Sequence, residues 1–272
     1  MGKFDGILLG SDLDGTLLRH DKSLSQENKK AIEYFKSEGG IFTFFTGRLP
    51  VGAIPVLEMI MPNAPYGCMN GAGIADAKSG KYLWSLTLAD EYREILEYVE
   101  KEHPYAGIEL ATDKIYFYKK SNEVLKHMRD EKLPELPCDF RTFAQPVCKI
   151  LFGVREDLME GFMEAVCAHP KAYLFDFIRS DKIYFEILPK GASKGDVLLR
   201  IAEMVGVDKS RTVAVGDNDN DVSMLEAAGI GIAVSNASEK AEKAANFVTV
   251  SNEEHAIAKI IEDMENGIYK FE

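Results

Sequence analysis

Two aspartates separated by one residue follow the first apolar segment of the chain. The segment from Ile7 to Leu13 has the length of a strand, and Asp12 and Asp14 lie at its end, just before Gly15. Side chains of a strand alternate with a period of two, so we expect both carboxylates to point the same way. Two carboxylates in one small space repel each other unless a divalent cation lies between them or one is protonated. Because Asp-Gly is also a common turn dipeptide, surface turn residues are the competing interpretation.

A second acidic segment follows another short apolar run near the C-terminus. The sequence Gly-Asp-Asn-Asp-Asn-Asp occupies residues 216–221, directly after the predicted strand at 212–215. Carboxylate oxygens from two loops suit Mg²⁺, a hard cation that prefers oxygen ligands and retains several waters. A calcium-binding EF-hand would need Glu at the twelfth position of the loop. Counted from Asp217 that position is Ala228, so the spacing excludes an EF-hand.

Two further segments carry groups that bind anions. Lys194 lies at the predicted start of a helix, where its charge adds to the positive end of the helix dipole. A solvated lysine in the first helical turn is the competing interpretation, and the surrounding residues lack the spacing of a P-loop. Thr46, Gly47 and Arg48 follow the predicted strand at 41–45. The hydroxyl and backbone N–H groups of such a turn could hold a phosphate oxygen.

The elements that position these residues alternate between strand and helix at both ends of the chain. The pattern predicts strands at 7–13, 41–45 and 66–69, with helices from Ser25 and from Pro50 between them. After Pro189 it predicts helices at 193–205, 221–228 and 253–265 and strands at 212–215, 230–234 and 247–250. This alternation is typical of a parallel sheet with functional loops at the carboxyl ends of the strands.

The middle of the chain has a different pattern. Helices are predicted at 89–102, from Ser121 and at 156–168, and strands with hairpin-like spacing at 107–110, 115–118, 147–154, 173–178 and 182–187. We therefore predict an α/β protein: a Rossmann-like parallel sheet core with helices on both faces, plus an inserted α+β cap domain. The core is discontinuous, with residues 1–85 and 188–272, and the insert covers residues 86–187.

Composition and net charge indicate which kinds of partner and which cellular location to expect. Hydrophobic residues make up 46% of the 272 residues and charged residues 28%, which is the balance of an ordinary globular protein. The net charge of −12 opposes binding to nucleic acid or to an anionic membrane surface. The four cysteines form no C-x-x-C pair, so we expect free, mostly buried thiols. Neither a signal peptide nor an apolar run of membrane-spanning length is evident, and cytoplasmic residence is the expectation.

Taken in order, the four segments resemble the motifs of the haloacid dehalogenase superfamily of phosphohydrolases. Residues 12–16 match its D-x-D-G-T motif, Thr46 the second motif, Lys194 the third and residues 216–221 the acidic fourth. The insert between the second and third motifs resembles a type II (C2B) cap. The Asn70-Gly71-Ala72 segment after the third strand is similar to the Cof-like subgroup.

The resemblance implies a phosphatase, a phosphoric monoester hydrolase, with Mg²⁺ as its cofactor. It implies that Asp12 is the nucleophile that forms a phosphoaspartyl intermediate, Asp14 the general acid and base, and Lys194 the cation that neutralises the phosphoryl oxygens. Thr46, Gly47, Arg48 and Asn220 would then bind phosphate. The implied metal site comprises Asp12, the Asp14 backbone carbonyl, Asp217, and Asp221 either directly or through water.

Alternatives remain for the reaction and the substrate. A phosphomutase or phosphotransferase shares this core but returns the phosphoryl group to a second hydroxyl, and a non-catalytic sugar-phosphate-binding regulator belongs to another class. The intact motif residues favour hydrolysis. The predicted partner is a small phosphorylated metabolite, with a sugar phosphate favoured, and neither nucleic acid nor a membrane.

Overall fold

The computed structural model describes residues 2–112, 114–118, 123–125 and 136–271. The predicted helix from Ser121 lies largely outside these residues. The chain divides into two compact units. The first comprises Met1–Gly47, Ala53–Trp84 and Ser193–Glu272, and the second comprises Arg48–Gly52 and Ser85–Ala192.

The strands and helices follow in chain order. The strands are β1 Leu8–Asp12, β2 Ile41–Phe45, β3 Tyr66–Cys68, β4 Gly73–Ala75, β5 Tyr82–Ser85, β6 Gly107–Ala111, β7 Ile115–Tyr118, β8 Leu136–Pro137, β9 Lys149–Gly153, β10 Phe175–Asp181, β11 Tyr184–Pro189, β12 Thr212–Gly216, β13 Ile230–Val234 and β14 Phe247–Thr249. The helices are α1 Gln26–Ser37, α2 Pro50–Met59, α3 Tyr92–Glu102, α4 Glu156–Cys167, α5 Lys194–Val205, α6 Val222–Ala227, α7 Glu239–Ala244 and α8 Ala256–Glu265.

A mainly parallel sheet forms the centre of the first unit. In the described chain its strand order is β14-β13-β12-β1-β2-β3-β4-β5. The pairings from β14 through β3 are parallel, and β4 then pairs with β3 in the antiparallel direction. Strands β1, β12 and β13 are buried along their whole length, as expected for central strands covered on both faces. Their carboxyl ends therefore meet at one edge of the sheet.

Capping residues explain where two helices of this unit begin. The Ser25 hydroxyl accepts a hydrogen bond from Asn28 N at the start of α1, and the Ser193 hydroxyl accepts one from Asp196 N at the start of α5. Each cap satisfies one backbone donor that has no partner inside the helix. Helix α5 ends at Gly206, which adopts the left-handed conformation common after a helix. These caps fix the position of Lys194 as the first residue of α5.

The second unit is built on an antiparallel sheet. Its described strands have the order β10-β11-β9-β6-β7-β8, and all pairings are antiparallel except that of β7 with β8. Helices α3 and α4 contribute Ile95, Val99, Met159 and Phe162 to a buried core with Ile150 and Phe152 of the sheet. The predicted fold class, a parallel core with an inserted α+β unit, is confirmed.

Two composition-based expectations have different outcomes. No helix within the described residues combines the length and apolar character that a membrane span requires. The four cysteines are free thiols; Cys68 and Cys148 are buried, but Cys167 is exposed. The expected burial therefore does not extend to Cys167, which lies at the end of α4.

Candidate active site

Three carboxylates from two loops meet at the carboxyl edge of the first unit's sheet. Asp12 is the last residue of β1, and Asp217 and Asp221 follow β12, the strand that pairs with β1. One carboxylate oxygen from each of these three residues lies within 4.8 Å of the others. Parallel pairing of the two strands explains the convergence, because it places their carboxyl ends side by side.

A buried lysine compensates part of this negative charge. Lys194 Nζ lies 2.6 Å from Asp12 Oδ1 and 2.5 Å from Asp221 Oδ1. Its side chain is only 1% exposed, so the charge is removed from water and depends on these two carboxylates. The competing interpretation of Lys194 as a solvated lysine in the first helical turn is therefore wrong.

Asp221 is held on both of its carboxylate oxygens. Oδ1 contacts Lys194, and Oδ2 accepts hydrogen bonds from the backbone N–H groups of Asp217 at 2.9 Å and Asn218 at 3.0 Å. Asp221 and Asn218 form a capping box around the short 3₁₀ turn Asp219–Asp221. Such a carboxylate fixes the shape of its own loop and the position of Lys194.

The loop after β1 also contacts Asp217. The Thr16 hydroxyl donates a hydrogen bond of 2.7 Å to Asp217 Oδ1. Gly15 has a φ of +90°, and a Cβ added there would lie 2.5 Å from Asp217 Oδ2. Glycine is therefore required for both the backbone conformation and the close approach of the carboxylate. Sequence reasoning included Thr16 in the first motif but did not identify it as a site residue.

The Asp14 carboxylate does not belong to the three-carboxylate cluster, although its charge is close enough to contribute to the raised pKa of Asp217. Strand β1 ends at Asp12, so the alternation of the strand does not continue to Asp14. The Asp14 carboxylate is 37% exposed and pairs with Lys22 Nζ at 2.9 Å. A partly exposed carboxyl group with an exposed partner can exchange protons with water, which a buried carboxyl group such as that of Asp12 cannot do as readily.

Electrostatics at the cluster follow from burial and from like charge. Burial is the largest influence that raises the pKa of Asp12 well above its usual range; Asp221 adds to it and Lys194 opposes it. Burial, followed by Asp221, raises the pKa of Asp217 to about 6, against the hydrogen bond from Thr16. Burial alone would lower the pKa of Lys194, but Asp12 and Asp221 outweigh it and raise that pKa. The lysine therefore stays charged beside the two carboxylates.

These shifts predict how the stability of the metal-free protein depends on pH. The Asp217 pKa rises on folding from 3.8 to about 6, so the folded state binds this proton more tightly than the unfolded state. The contribution of Asp217 to stability is fully present below its pKa in the unfolded state, and it is lost as the pH rises through its pKa in the folded state. In chelator, the wild type should therefore lose stability relative to Asp217→Asn as pH increases from about 4 to about 7, measured by urea unfolding.

A control variant has the opposite sign. Asp219 lies in the same loop, and its hydrogen bond from Lys240 lowers its pKa. The stability of the wild type relative to the Asp219→Asn variant should therefore increase slightly over the same pH range. A difference between wild type and Asp217→Asn that did not change with pH would contradict the electrostatic account of this site.

The residues predicted to bind phosphate are partly brought together. Thr46 is buried after β2, and Gly47 lies next to Asn70, since a Cβ added to Gly47 would be 3.0 Å from Asn70 Oδ1. Asn220 Nδ2 donates a hydrogen bond of 3.0 Å to the same oxygen. Arg48 belongs to the second unit, where its guanidinium donates to Gly52 O. Asn70 was not among the predicted site residues, although its place after the third strand was a usable signal.

The donor set fits a divalent oxygen-loving cation. Three carboxylates and one ammonium leave an excess of negative charge in a largely buried space. Asp12 Oδ1 is engaged by Lys194 and Asp217 Oδ1 by Thr16, so the second oxygen of each carboxylate is the natural ligand. Because both oxygens of Asp221 are engaged, its geometry suits an orienting role better than direct ligation.

Comparison with known proteins gives consistent results. A family model described as haloacid dehalogenase-like hydrolase matches residues 9–261. The 5-amino-6-(5-phospho-D-ribitylamino)uracil phosphatase YitU of Bacillus subtilis is 27% identical, over 94% of this chain and 96% of that protein. Phosphatase YwpJ of the same organism is 28% identical, over 94% and 99%. A solved haloacid dehalogenase-like hydrolase from Bacteroides thetaiotaomicron is 25% identical with a TM-score of 0.82, covering 95% of this chain and 99% of that one.

Proposed function

The chain belongs to the haloacid dehalogenase-like hydrolases and is a phosphatase, and we propose that it hydrolyses a small phosphorylated metabolite in a Mg²⁺-dependent reaction through a phosphoaspartyl intermediate on Asp12. One observation carries the proposal. The Asp12 carboxylate is buried at a strand end, 2.6 Å from a buried lysine and within the carboxylate cluster. A carboxylate held in this way is positioned as a nucleophile and does not contribute to a hydrophobic core.

The metal would be held by Asp12 and Asp217, with the Asp14 backbone carbonyl as a third protein ligand and Asp221 acting through water or through Lys194. When bound, Mg²⁺ neutralises charge on the phosphoryl oxygens and lets an anionic nucleophile approach an anionic substrate. Oxygen ligands from two rigid loops are the kind of donor set that Mg²⁺ accepts.

Each protein group has a distinct part in the proposed reaction. The Asp12 carboxylate attacks phosphorus in line, forming a P–O bond as the bond to the leaving oxygen breaks. Asp14 gives a proton to the leaving alcohol and then takes one from the water that attacks the phosphoaspartate. Lys194 stabilises charge on the phosphoryl group, and Thr46 and Asn220 orient its oxygens. The half-exposed position of Asp14 supports this exchange of protons.

The favoured substrate class is a sugar or sugar-alcohol phosphate. This choice is supported by the similarity to YitU, a phosphatase whose named substrate carries its phosphate on a ribityl chain. We further propose that the inserted segment, residues 86–187, is the cap domain that provides substrate specificity. Phosphate chemistry at the core is common to all monoesters, so discrimination requires residues outside it.

The test combines metal removal with isotopic labelling. Dialysis against a chelator should reduce hydrolysis of a generic aryl phosphate on the order of 10³-fold, because a catalytic metal stabilises the transition state by several kcal/mol. Added Mg²⁺ should restore the activity, and Ca²⁺ should do so poorly because its coordination is larger and looser. Undiminished turnover after complete metal removal would contradict the proposal.

In ¹⁸O-labelled water, the released phosphate should contain one solvent oxygen and Asp12 none, since water attacks phosphorus and not the carboxylate carbon. For the chelator experiment, circular dichroism of the metal-free protein is the control that it remains folded. A mutase would instead release little phosphate and move the phosphoryl group to another hydroxyl of the same sugar.

A further inference from the structure

Asn70 has a buried position and an unusual backbone conformation next to the proposed phosphate site. It lies in the 3₁₀ turn Met69–Gly71 directly after β3, is 1% exposed, and has φ 53° and ψ 33°. A non-glycine residue in this left-handed region is uncommon, and Asn tolerates it better than most residues. The surrounding structure must hold such a conformation in place, which often marks a functional position.

The contacts of Asn70 join the two loops that carry Thr46 and Asn220. Its backbone N–H donates to Thr46 O at 3.0 Å, and its Oδ1 accepts from Asn220 Nδ2 at 3.0 Å. Gly47 packs against the same amide, because a Cβ there would meet Oδ1 at 3.0 Å and Nδ2 at 3.1 Å. One residue therefore contacts both loops through different atoms.

Strand order shows why such a bridge is needed. In the sheet, β12 is followed by β1, β2 and β3, so the loop with Asn220 and the turn with Asn70 begin three strands apart. At the usual spacing this is on the order of 14 Å, too far for direct pairing of strand ends. The two loops converge beyond the strand ends, and a side-chain hydrogen bond of 3.0 Å joins them there, between residues 150 positions apart in sequence.

The turn is also packed against the lysine helix. Gly71 has a φ of +95°, and a Cβ there would lie 2.2 Å from the carbonyl carbon of Ser193, the residue that caps α5. The turn at 69–71 therefore lies between the start of α5, the loop after β2 and the loop after β12. Its position is fixed by backbone contacts that do not depend on the Asn70 amide.

We propose that Asn70 is a positioning residue that aligns Thr46 and Asn220 on the phosphoryl group. This inference rests on the proposed phosphatase function. The amide acts through Asn220 and the backbone N–H through Thr46, so Asn70 itself need not touch substrate. The three carboxylates have other contacts of their own: Asp12 with Lys194, Asp217 with Thr16, and Asp221 with the backbone N–H groups of Asp217 and Asn218. Loss of the amide should therefore impair phosphate binding and leave metal binding intact.

The Asn70→Gly variant isolates the amide, because glycine adopts the left-handed backbone without strain and keeps the N–H bond to Thr46. We expect kcat/KM for an aryl phosphate to fall by about 10- to 100-fold, the range that a misplacement of about 1 Å can cause. The inhibition constant of inorganic phosphate should rise, while the Mg²⁺ concentration for half-maximal activity stays unchanged. The lost buried hydrogen bond should lower thermal stability in any case, whereas a merely structural role would alter metal affinity along with turnover.

A double-mutant cycle with Asn220→Ala gives the decisive result. If Asn70 acts through Asn220, the loss in the double variant should be clearly smaller than the product of the two single losses. Asn63→Ala is the matched control, because the Asn63 side chain also joins two segments, by accepting a hydrogen bond from Phe42 N and donating one to Gly40 O. Asn63 lies at the amino ends of β2 and β3, on the edge of the sheet opposite the proposed site. It should lower stability without changing kcat/KM.

Full multiplicativity in the cycle, or Asn70→Gly with wild-type kcat/KM and phosphate inhibition, would overturn the inference. Failure of the proposed function has a different signature, because the wild type itself would then show no metal-dependent turnover.

Discussion

Asp12→Asn is expected to abolish turnover while the protein remains folded. The amide is not a nucleophile, and removal of the nucleophile from other covalent enzymes lowers kcat by on the order of 10⁴-fold or more. The amide oxygen of the variant can still accept a hydrogen bond from Lys194 Nζ, which in the wild type lies 2.6 Å from Asp12 Oδ1. Burial and Asp221 make the Asp12 charge unfavourable and raise its pKa, so the neutral variant should also unfold at higher temperature in metal-free buffer.

The measurement is steady-state release of phosphate together with thermal unfolding in chelator. Asp219→Asn is the matched control: it removes the same charge from the acidic loop, but its partners are Ser238 and Lys240 at the surface. It should keep near-normal turnover. An Asp12→Asn variant with substantial turnover would show that another group attacks phosphorus, whereas a destabilised one would show that the charge of Asp12 is needed for folding.

Lys194→Met should weaken both catalysis and the metal-free fold. Lys194 is the buried cation between Asp12 and Asp221, and its removal leaves buried carboxylates without compensation. Breaking a buried ion pair by removing one partner typically destabilises a protein by about 3–5 kcal/mol. Loss of one preorganised donor to a developing oxyanion lowers kcat by about 10²- to 10³-fold. We expect both effects in this variant.

Magnesium distinguishes charge from packing in this experiment. A divalent cation can replace part of the missing positive charge, so Mg²⁺ should stabilise Lys194→Met more than it stabilises the wild type, as measured by urea unfolding. Lys240→Met is the control, because Lys240 is an exposed lysine whose loss should change stability by no more than about 0.5 kcal/mol. Equal magnesium stabilisation of wild type and Lys194→Met would contradict a compensating role for Lys194.

Local sequence was sufficient for most elements of the fold. Strands β1, β2 and β12 and helices α1 and α5 form where the apolar runs and capping residues predict them. The hairpin strands β4 and β5 and the short helix α7 were not predicted. Helix α7 contains no apolar residue larger than alanine and β4 contains only one, so neither shows a hydrophobic pattern, and β5 is only 4 residues long. The superfamily resemblance, drawn from four short motifs, is confirmed by the family match over residues 9–261.

The sequence by itself determined which chemical groups stand at strand ends, because apolar runs locate the strands and polar residues follow them directly. This is why Asp12, Thr46 and Asp217 could be named in advance. The tertiary structure alone decided how those groups pair. Lys194 and Asp12 are 182 residues apart, and the bridge from Asn70 to Asn220 joins loops that begin three strands apart. Such contacts depend on strand order and loop conformation, which arise from packing of the whole sheet and leave no signal within any one segment.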